Sequence, residues 1–173
     1  MHGPKGFSLV ELLIIMTIIT IIALIAAPAI TTYNANVQLK SAVMDLKSNM
    51  ELAKMRAIRA NAHVALIFDT GAETYTIFVD DGEGAGAADN WICDGSETLI
   101  RQVTIPETVD MYAASFAGGV PRFRFDGRGL PNGFGGHCYM KNTENRYRGV
   151  SLSMVGMVRI QTSPDGGVWQ DEQ

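Results

Sequence analysis

The chain has 173 residues, a formal net charge of −4 and a sequence pI near 5.3. This length leaves room for a membrane segment and one folded domain of ordinary size, so we expect no second folded domain. The acidic balance argues against a generally basic nucleic-acid-binding protein.

An apolar run lies near the N-terminus. From Phe7 to Ala27 the only charged residue is Glu11. About 20 residues at roughly 1.5 Å rise each match the hydrocarbon thickness of a bilayer, so the run predicts one membrane-spanning helix. Lys5 precedes the run, and the next basic residue is Lys40. Because basic residues stay on the cytoplasmic side, the N-terminus is predicted to be inside and the remainder outside.

Glu11 is unusual in such a helix. An acidic side chain inside a membrane segment costs about 2.5–3.5 kcal/mol on insertion scales, which suggests that it has a partner. The alternative is that Glu11 lies close enough to the cytoplasmic interface to reach water.

The sequence Gly6, Phe7 and then Glu11, followed by the apolar run, resembles the class III signal of type IV pilins and type II secretion pseudopilins. The resemblance implies that a prepilin peptidase cuts after Gly6 and methylates the new N-terminus at Phe7, so that residues 1–6 form a leader peptide. It also implies that Glu11 pairs with the terminal amine of a neighbouring subunit as helices stack into a filament. Pro28 falls where this family often carries a helix-kinking proline.

A competing interpretation is a secretory signal peptide cut within residues 26–29, where the small residues resemble a cleavage site. Glu11 disagrees with this interpretation, because a charge is not expected in the apolar core of such a peptide.

Residues 31–62 predict an amphipathic continuation of the helix. Apolar residues step by three and four positions along one face, at Leu39, Val43, Leu46, Met50, Ala53 and Ala57. Lys40, Lys47, Glu51 and Lys54 lie off that face. We therefore expect Pro28 to bend the helix without ending it, and Asn61 to mark its end.

Residues 63–173 predict a β-rich domain outside the cytoplasm, in the periplasm. Eight segments are rich in β-branched and aromatic residues, namely 63–69, 73–80, 98–105, 108–112, 121–126, 137–141, 148–154 and 157–162. Thr70, Gly71 and Ala72 read as a hairpin turn between the first two. One long helix followed by strands alone indicates an α+β fold, with the helix packed on an antiparallel β-sheet.

This region adds to the resemblance, now to the GspH/FimT group of minor pseudopilins and pilins. The similar blocks are residues 55–61, 75–81, 97–101, 123–127 and 150–160. The resemblance implies a non-enzymatic subunit that assembles into a type II secretion pseudopilus or a type IV pilus, at or near the tip. Its implied partners are other pilins or pseudopilins, contacted through the N-terminal helix, the prepilin peptidase, and the inner membrane before assembly.

The sequence contains two cysteines, Cys93 and Cys138, and the predicted topology places both in an oxidising compartment. An even count there favours one disulfide between them, which would stabilise the domain by roughly 3–4 kcal/mol in the chain-entropy model. Two buried thiols are the alternative.

No catalytic or cofactor motif stands out. His2, His63 and His137 lack zinc-site spacing with each other or with the cysteines, and no nucleotide-binding or nucleophile motif occurs. We therefore expect no enzyme activity, no cofactor and no metal. The loop from Asp80 to Glu83, with Asp89, offers oxygen atoms that calcium favours, but it lacks the ligand spacing of an EF-hand.

The charges are divided along the chain. Acidic residues dominate 69–110, and basic residues dominate 121–160. Such a division could let the basic surface of one subunit meet the acidic surface of another.

An alternative function is DNA uptake, because some FimT members bind DNA through a basic C-terminal Gly-Arg-x-Arg motif. Here the matching residues are Gly156 to Arg159, and the first arginine is absent. A candidate patch for DNA or a partner consists of Arg122, Arg124, Arg146, Arg148 and Arg159.

Overall fold

The computed structural model describes residues 8–83 and 86–172. The predicted cleavage and methylation residues, Gly6 and Phe7, lie outside the described residues. The chain divides into two compact units, Met1–Asn34 and Ala35–Gln173. One helix, α1, extends from Leu9 to Ala60 and contributes to both units.

In the first unit, α1 is apolar on every side. Its large apolar side chains from Leu9 to Ile30 are between 43% and 76% exposed. By length and composition this part of α1 is able to cross a membrane, and none of it is buried by the rest of the chain. This agrees with the predicted membrane-spanning segment.

In the second unit, α1 is amphipathic as predicted. Every residue of the predicted apolar face is buried, namely Leu39, Val43, Leu46, Met50, Ala53 and Ala57. Lys40 and Glu51 point to solvent. The period of the apolar residues thus determines which face of the helix packs on the domain.

The helix ends beside Asn61, also as predicted. Asn61 adopts a left-handed conformation with φ of 50°, which asparagine tolerates better than most residues. The Ala62 N–H then donates to the Ala57 carbonyl at 3.3 Å. This combination is a Schellman motif, which satisfies a carbonyl in the last turn of α1.

Within residues 64–83 and 86–172 the structure has nine strands, all paired antiparallel. They are β1 Val64–Asp69, β2 Thr74–Val79, β3 Leu99–Thr104, β4 Val109–Ser115, β5 Arg122–Phe125, β6 Gly136–Asn142, β7 Tyr147–Leu152, β8 Val158–Ser163 and β9 Gln170–Asp171. A short 3₁₀ helix, Ala117–Gly119, lies between β4 and β5.

The strands form two sheets. The four-stranded sheet has the order β3-β2-β1-β5, and the five-stranded sheet has the order β4-β6-β7-β8-β9. The hairpin turn between β1 and β2 is the predicted one, and Asp69 Oδ1 accepts hydrogen bonds there from Gly71 N and Ala72 N at 3.0 and 2.9 Å.

The core lies between α1 and the two sheets. Buried residues of the helix and of both sheets form a single cluster. Phe116 directly follows β4 of the five-stranded sheet. Its ring lies 5.2 Å from that of Phe68 on β1 and 4.5 Å from that of Phe123 on β5, both in the four-stranded sheet, so Phe116 connects the two sheets.

One buried polar contact joins the helix to the four-stranded sheet. Asn49 Nδ2 donates to the Tyr75 hydroxyl at 2.6 Å, and Arg101 NH1 donates to Asn49 Oδ1 at 3.1 Å. These bonds connect α1 to β2 and β3, and they satisfy an amide that is almost fully buried.

The predicted α+β class, the long helix and all eight predicted strands are confirmed, with bounds that differ by one to three residues. The sequence predicted one sheet, whereas the structure has two. The two-residue strand β9 and the 3₁₀ helix were not predicted.

Candidate functional site

The N-terminal turn of α1 positions Glu11. The helix begins at Leu9, and the Leu12 N–H donates to the Ser8 carbonyl at 3.1 Å. Glu11 therefore lies in the first turn, where the helix dipole and the unpaired N–H groups favour a carboxylate. Within the described residues the Glu11 carboxylate forms no ion pair.

The threonines of the apolar segment satisfy their own hydroxyl groups. Thr17 donates to the Leu13 carbonyl and Thr20 to the Met16 carbonyl, each at 2.8 Å. Such bonds to the preceding turn remove the need for another partner in lipid. Glu11 is the one charged side chain from Leu9 to Ile30.

Pro28 lies inside α1, and the helix continues through it to Ala60. Proline has no N–H, so the Leu24 carbonyl lacks its usual donor. The Thr31 hydroxyl donates to the Pro28 carbonyl at 2.9 Å. The helix does not end at Pro28, as predicted.

Two family models match the chain. The prokaryotic N-terminal methylation motif matches residues 1–27, and the type II transport protein GspH matches residues 42–156, more than half of the chain. The chain belongs to the GspH family. This confirms the resemblance noted in the sequence, and it makes the chain a member of a family of pseudopilin and pilin subunits, which are structural proteins and not enzymes.

Solved structures of a minor pseudopilin and of a minor pilin share the fold. The minor pseudopilin EpsH of the type 2 secretion system of Vibrio cholerae has a TM-score of 0.57 and 11% identity, over 74% of this chain and 99% of that chain. The type IV minor pilin FimU of Pseudomonas aeruginosa has a TM-score of 0.50 and 16% identity, over 82% of this chain and 97% of that one. No curated protein sequence matches the chain significantly.

The predicted Cys93–Cys138 disulfide is not formed, and this prediction is corrected by the structure. Both cysteines are free thiols, and Cys93 is exposed whereas Cys138 is buried. Cys138 lies on β6 and faces the core, whereas Cys93 lies in the segment between β2 and β3. Burial raises the pKa of the Cys138 thiol, and the nearby Glu73 carboxylate raises it further, so the thiol stays protonated.

The segment between β2 and β3, residues 80–83 and 86–98, is rich in acidic residues, and we refer to it as the acidic loop. Its own carboxylates stabilise it. Asp80 accepts hydrogen bonds from the N–H groups of Asn90 and Trp91 at 3.2 and 3.3 Å. Glu97 accepts from the N–H groups of Gly82 and Asp94 at 2.8 and 3.2 Å. These carboxylates replace the backbone bonds that an irregular loop lacks.

The same contacts bear on the calcium alternative. Within the described residues, no group of three or more His, Cys, Asp or Glu side chains is arranged to hold a metal ion. Asp89 Oδ1 instead lies 2.9 Å from Arg124 NH1 and 2.5 Å from His63 Nδ1. Oxygens of Asp80, Asp81 and Asp89 are therefore engaged with the protein itself.

The structure does not gather the candidate arginines into one free basic patch. Arg122 and Arg124 lie on β5 of the four-stranded sheet, and both guanidinium groups stack on the Trp91 ring, at 4.8 and 4.7 Å from its centroid. Arg148 and Arg159 lie in the five-stranded sheet, and Arg146 is exposed just before β7.

Most of these arginines already have acidic partners. Arg148 NH1 lies 2.7 Å from Glu172 Oε2, and Arg159 NH1 lies 2.6 Å from Asp171 Oδ2. Together with the Arg124–Asp89 pair, these contacts pair acidic and basic residues within one chain, where the sequence had suggested pairing between subunits. Nothing in this arrangement favours DNA binding.

Two features of functional interest escaped the sequence analysis. Ser8 and Glu11 have the S-x-x-E spacing of a helix capping box, a local signal that could have placed the start of α1. The contact of Asn49 with Tyr75 and Arg101 had no local signal, because it joins residues that are 26 and 52 positions apart.

Proposed function

We propose that the chain is a minor pseudopilin or minor pilin that is cut after Gly6, methylated at Phe7 and assembled through its N-terminal helix. The supporting observation is the placement of Glu11 in the first turn of a helix whose large apolar side chains from Leu9 to Ile30 are all exposed. Before assembly, residues 7–30 would span the inner membrane, with the N-terminus in the cytoplasm and the β-rich domain in the periplasm.

The uncovered apolar surface must be covered from outside the chain. Lipid can do this before assembly, and the equivalent helices of neighbouring subunits can do it in a filament. Because lipid chains are as apolar as leucine side chains, the transfer between the two changes little hydrophobic free energy. Specific polar contacts therefore decide whether and in which register the helices associate.

Glu11 provides such a contact. The amine of a neighbouring subunit, at Phe7 after cleavage, would give this carboxylate a charge-assisted hydrogen bond. In a low-dielectric setting the pair is favoured strongly over a lone carboxylate. One pairing point near the end of each helix would fix the axial offset between neighbouring subunits.

The proposed place of the subunit is at or near the tip of a short type II secretion pseudopilus or of a type IV pilus. Support comes from the GspH family match and from the fold shared with EpsH and FimU. The partners are other pilins or pseudopilins and the prepilin peptidase.

The role of Glu11 is tested by Glu11→Gln and Glu11→Ala in the full chain, expressed in its host. We expect both variants to be processed normally and to be recovered in sheared filaments at about one-tenth of the wild-type level or less, which corresponds to at least 1.4 kcal/mol. Glu51→Gln is the matched control, because Glu51 is an exposed acid in the second half of α1. Normal recovery of both Glu11 variants would refute the pairing.

The cleavage site is tested separately by Gly6→Val. We expect an unprocessed band, larger by the leader, on a gel of membrane fractions. A mature band of normal intensity would show that the peptidase does not cut at this position.

A further inference from the structure

Apolar side chains are exposed where α1 ends and two loops meet. The helix contributes Met55 and Ile58, which are 61% and 49% exposed. The loop before β6 and the turn between β7 and β8 contribute Phe134, Met154, Val155 and Met157, which are 74%, 61%, 67% and 49% exposed. We refer to these six residues as the helix-end patch.

The helix and the β7–β8 turn are fixed against each other. Lys54 Nζ donates to the Gly156 carbonyl at 2.9 Å. Within the turn, the Gly156 N–H donates to the Ser153 carbonyl at 2.9 Å, and the Met157 N–H donates to Ser153 Oγ at 3.1 Å. The exposed methionines therefore extend from a turn whose backbone is already ordered.

Close backbone approaches connect the remaining segments. A Cβ at Gly129 would lie 2.7 Å from Ile58 Cδ1, and one at Gly156 would lie 2.6 Å from the Gly129 carbonyl oxygen. A Cβ at Gly135, next to Phe134, would lie 1.8 Å from the carbonyl oxygen of Leu152 at the end of β7. The end of α1, the Gly129 turn, the β7–β8 turn and the loop before β6 therefore lie next to one another.

The composition of the helix-end patch is typical of a protein interface. Methionine and aromatic residues are enriched at interfaces, and methionine adapts its shape to a partner. Contiguous exposed apolar patches of this kind mark interaction sites on soluble domains. Preordered loops also reduce the conformational entropy lost on binding.

Two arginines border the patch and have no acidic partner. Arg59 lies one helical turn beyond Met55, and Arg56 lies one turn before Arg59. Both are exposed, and neither forms an ion pair within the described part of the chain. Arg124, Arg148 and Arg159 have carboxylate partners, whereas Arg122 and Arg146 also form no ion pair within the described residues.

The charges distinguish between possible occupants. A symmetric contact between two copies would bring their arginines together, and like charges oppose such a contact. The acidic loop of a second copy is a poor partner, because Asp80 and Glu97 already bind backbone N–H groups of that loop. A membrane surface usually attracts clusters of four to eight basic residues with Trp or Tyr nearby. The patch is bordered by three basic residues without a carboxylate partner in the described part of the chain, Lys54, Arg56 and Arg59, and it contains neither aromatic type.

We propose that the helix-end patch is a second interface, which binds a different protein through an apolar surface bordered by Asp or Glu side chains. This interface is separate from the N-terminal helix and does not depend on the pairing of Glu11. The apolar residues would supply most of the binding free energy, and Arg56 and Arg59 would select the partner.

Photo-crosslinking in the host cell tests the proposal on the full chain. Val155 is replaced by p-benzoylphenylalanine, and Val168, which is 63% exposed and lies outside the patch, is the matched control position. We expect a crosslinked protein at position 155 that is absent at position 168. Mass spectrometry should assign it to a different protein, with Asp or Glu next to apolar residues in the crosslinked peptide.

Reversing the charges of Arg56 and Arg59 provides a second test of the same proposal. Arg56→Glu combined with Arg59→Glu should reduce the crosslink at position 155 at least tenfold, whereas Lys40→Glu, an exposed change elsewhere on α1, should leave it unchanged. The proposal is overturned by the same yield at positions 155 and 168, by a crosslink to lipid or to a second copy of this chain, or by a yield that charge reversal does not change.

Discussion

The first half of α1, from Leu9 to Ile30, and its second half, from Ala35 to Ala60, differ in where their apolar side chains lie around the helix. In the first half the large apolar side chains occur on every side and stay exposed. In the second half one apolar face is buried in the domain, and the large apolar side chains that stay exposed are Val37, Met44, Met55 and Ile58. The second half therefore gains its stability from its own chain, and the first half must gain it from lipid or from other helices. The spacing of apolar residues along α1 thus determines which part of the helix packs on its own domain and which part remains exposed.

The largest effect is expected when a buried side chain in the second half of α1 is shortened. Leu46 is fully buried, so Leu46→Ala should lower the free energy of unfolding by about 2–5 kcal/mol. Ile18→Ala, the same kind of change in the first half, should alter it by less than about 0.5 kcal/mol. Denaturant unfolding of the full chain in detergent micelles measures both, and equal losses would contradict the division of the helix.

A second test concerns the buried hydrogen bonds that Asn49, in the second half of α1, forms with Tyr75 and Arg101. Asn49→Ala leaves the Tyr75 hydroxyl and the Arg101 guanidinium without their partner, so we expect a loss of about 1–3 kcal/mol. Tyr75→Phe removes one bond and should cost about 1 kcal/mol. In the double variant the two losses should be less than additive, and strict additivity would show that the two side chains do not interact.

A third test concerns the end of the second half. Asn61 has a positive φ, so Asn61→Ala should destabilise the domain by about 1 kcal/mol, whereas Asn61→Gly should be nearly neutral. Thermal unfolding of the two variants compares them directly. If both variants unfold at the same temperature, the left-handed conformation does not limit the stability of the helix end.

The smallest expected effect is a pH dependence at Glu73, outside the helix. Glu73 Oε2 accepts a hydrogen bond from the Met111 N–H at 2.8 Å and so joins the β1–β2 hairpin to β4. Burial raises the pKa of this carboxyl, and the neighbouring Asp110 raises it further, although the Met111 bond acts in the opposite direction.

The sign of the effect follows from proton binding. Because the pKa of Glu73 is higher in the folded state, the folded state binds more protons than the unfolded state just above the ordinary pKa of glutamate. Stability relative to Glu73→Gln should therefore decrease as the pH rises from about 4 to about 7. Parallel stability–pH curves for the two proteins would show that Glu73 does not contribute in this way.

Local signals in the sequence account for much of the fold. The buried face of α1 follows from the spacing of Leu39, Val43 and Leu46, and the end of the helix follows from Asn61. The strands were visible as β-branched and aromatic segments. The N-terminal methylation motif was visible for the same reason, because it lies within a few consecutive residues and depends on no distant contact.

Features that depend on distant residues could not be predicted. The division into two sheets arises because β5 pairs with β1 across more than fifty residues, which no local pattern encodes. The strand β9 is defined only by its pairing with β8. The disulfide was predicted wrongly, because cysteine count and compartment do not reveal that Cys138 faces the core while Cys93 is exposed.

The central claim is that the apolar first half of α1 stays with the mature subunit and begins at a processed N-terminus next to Glu11. Mass spectrometry of the N-terminal peptide, from subunits recovered in membranes and in sheared filaments, tests this claim most directly. The account predicts a peptide that starts with N-methylated Phe7 and contains Glu11. A mature chain that starts beyond Ala27 would contradict it.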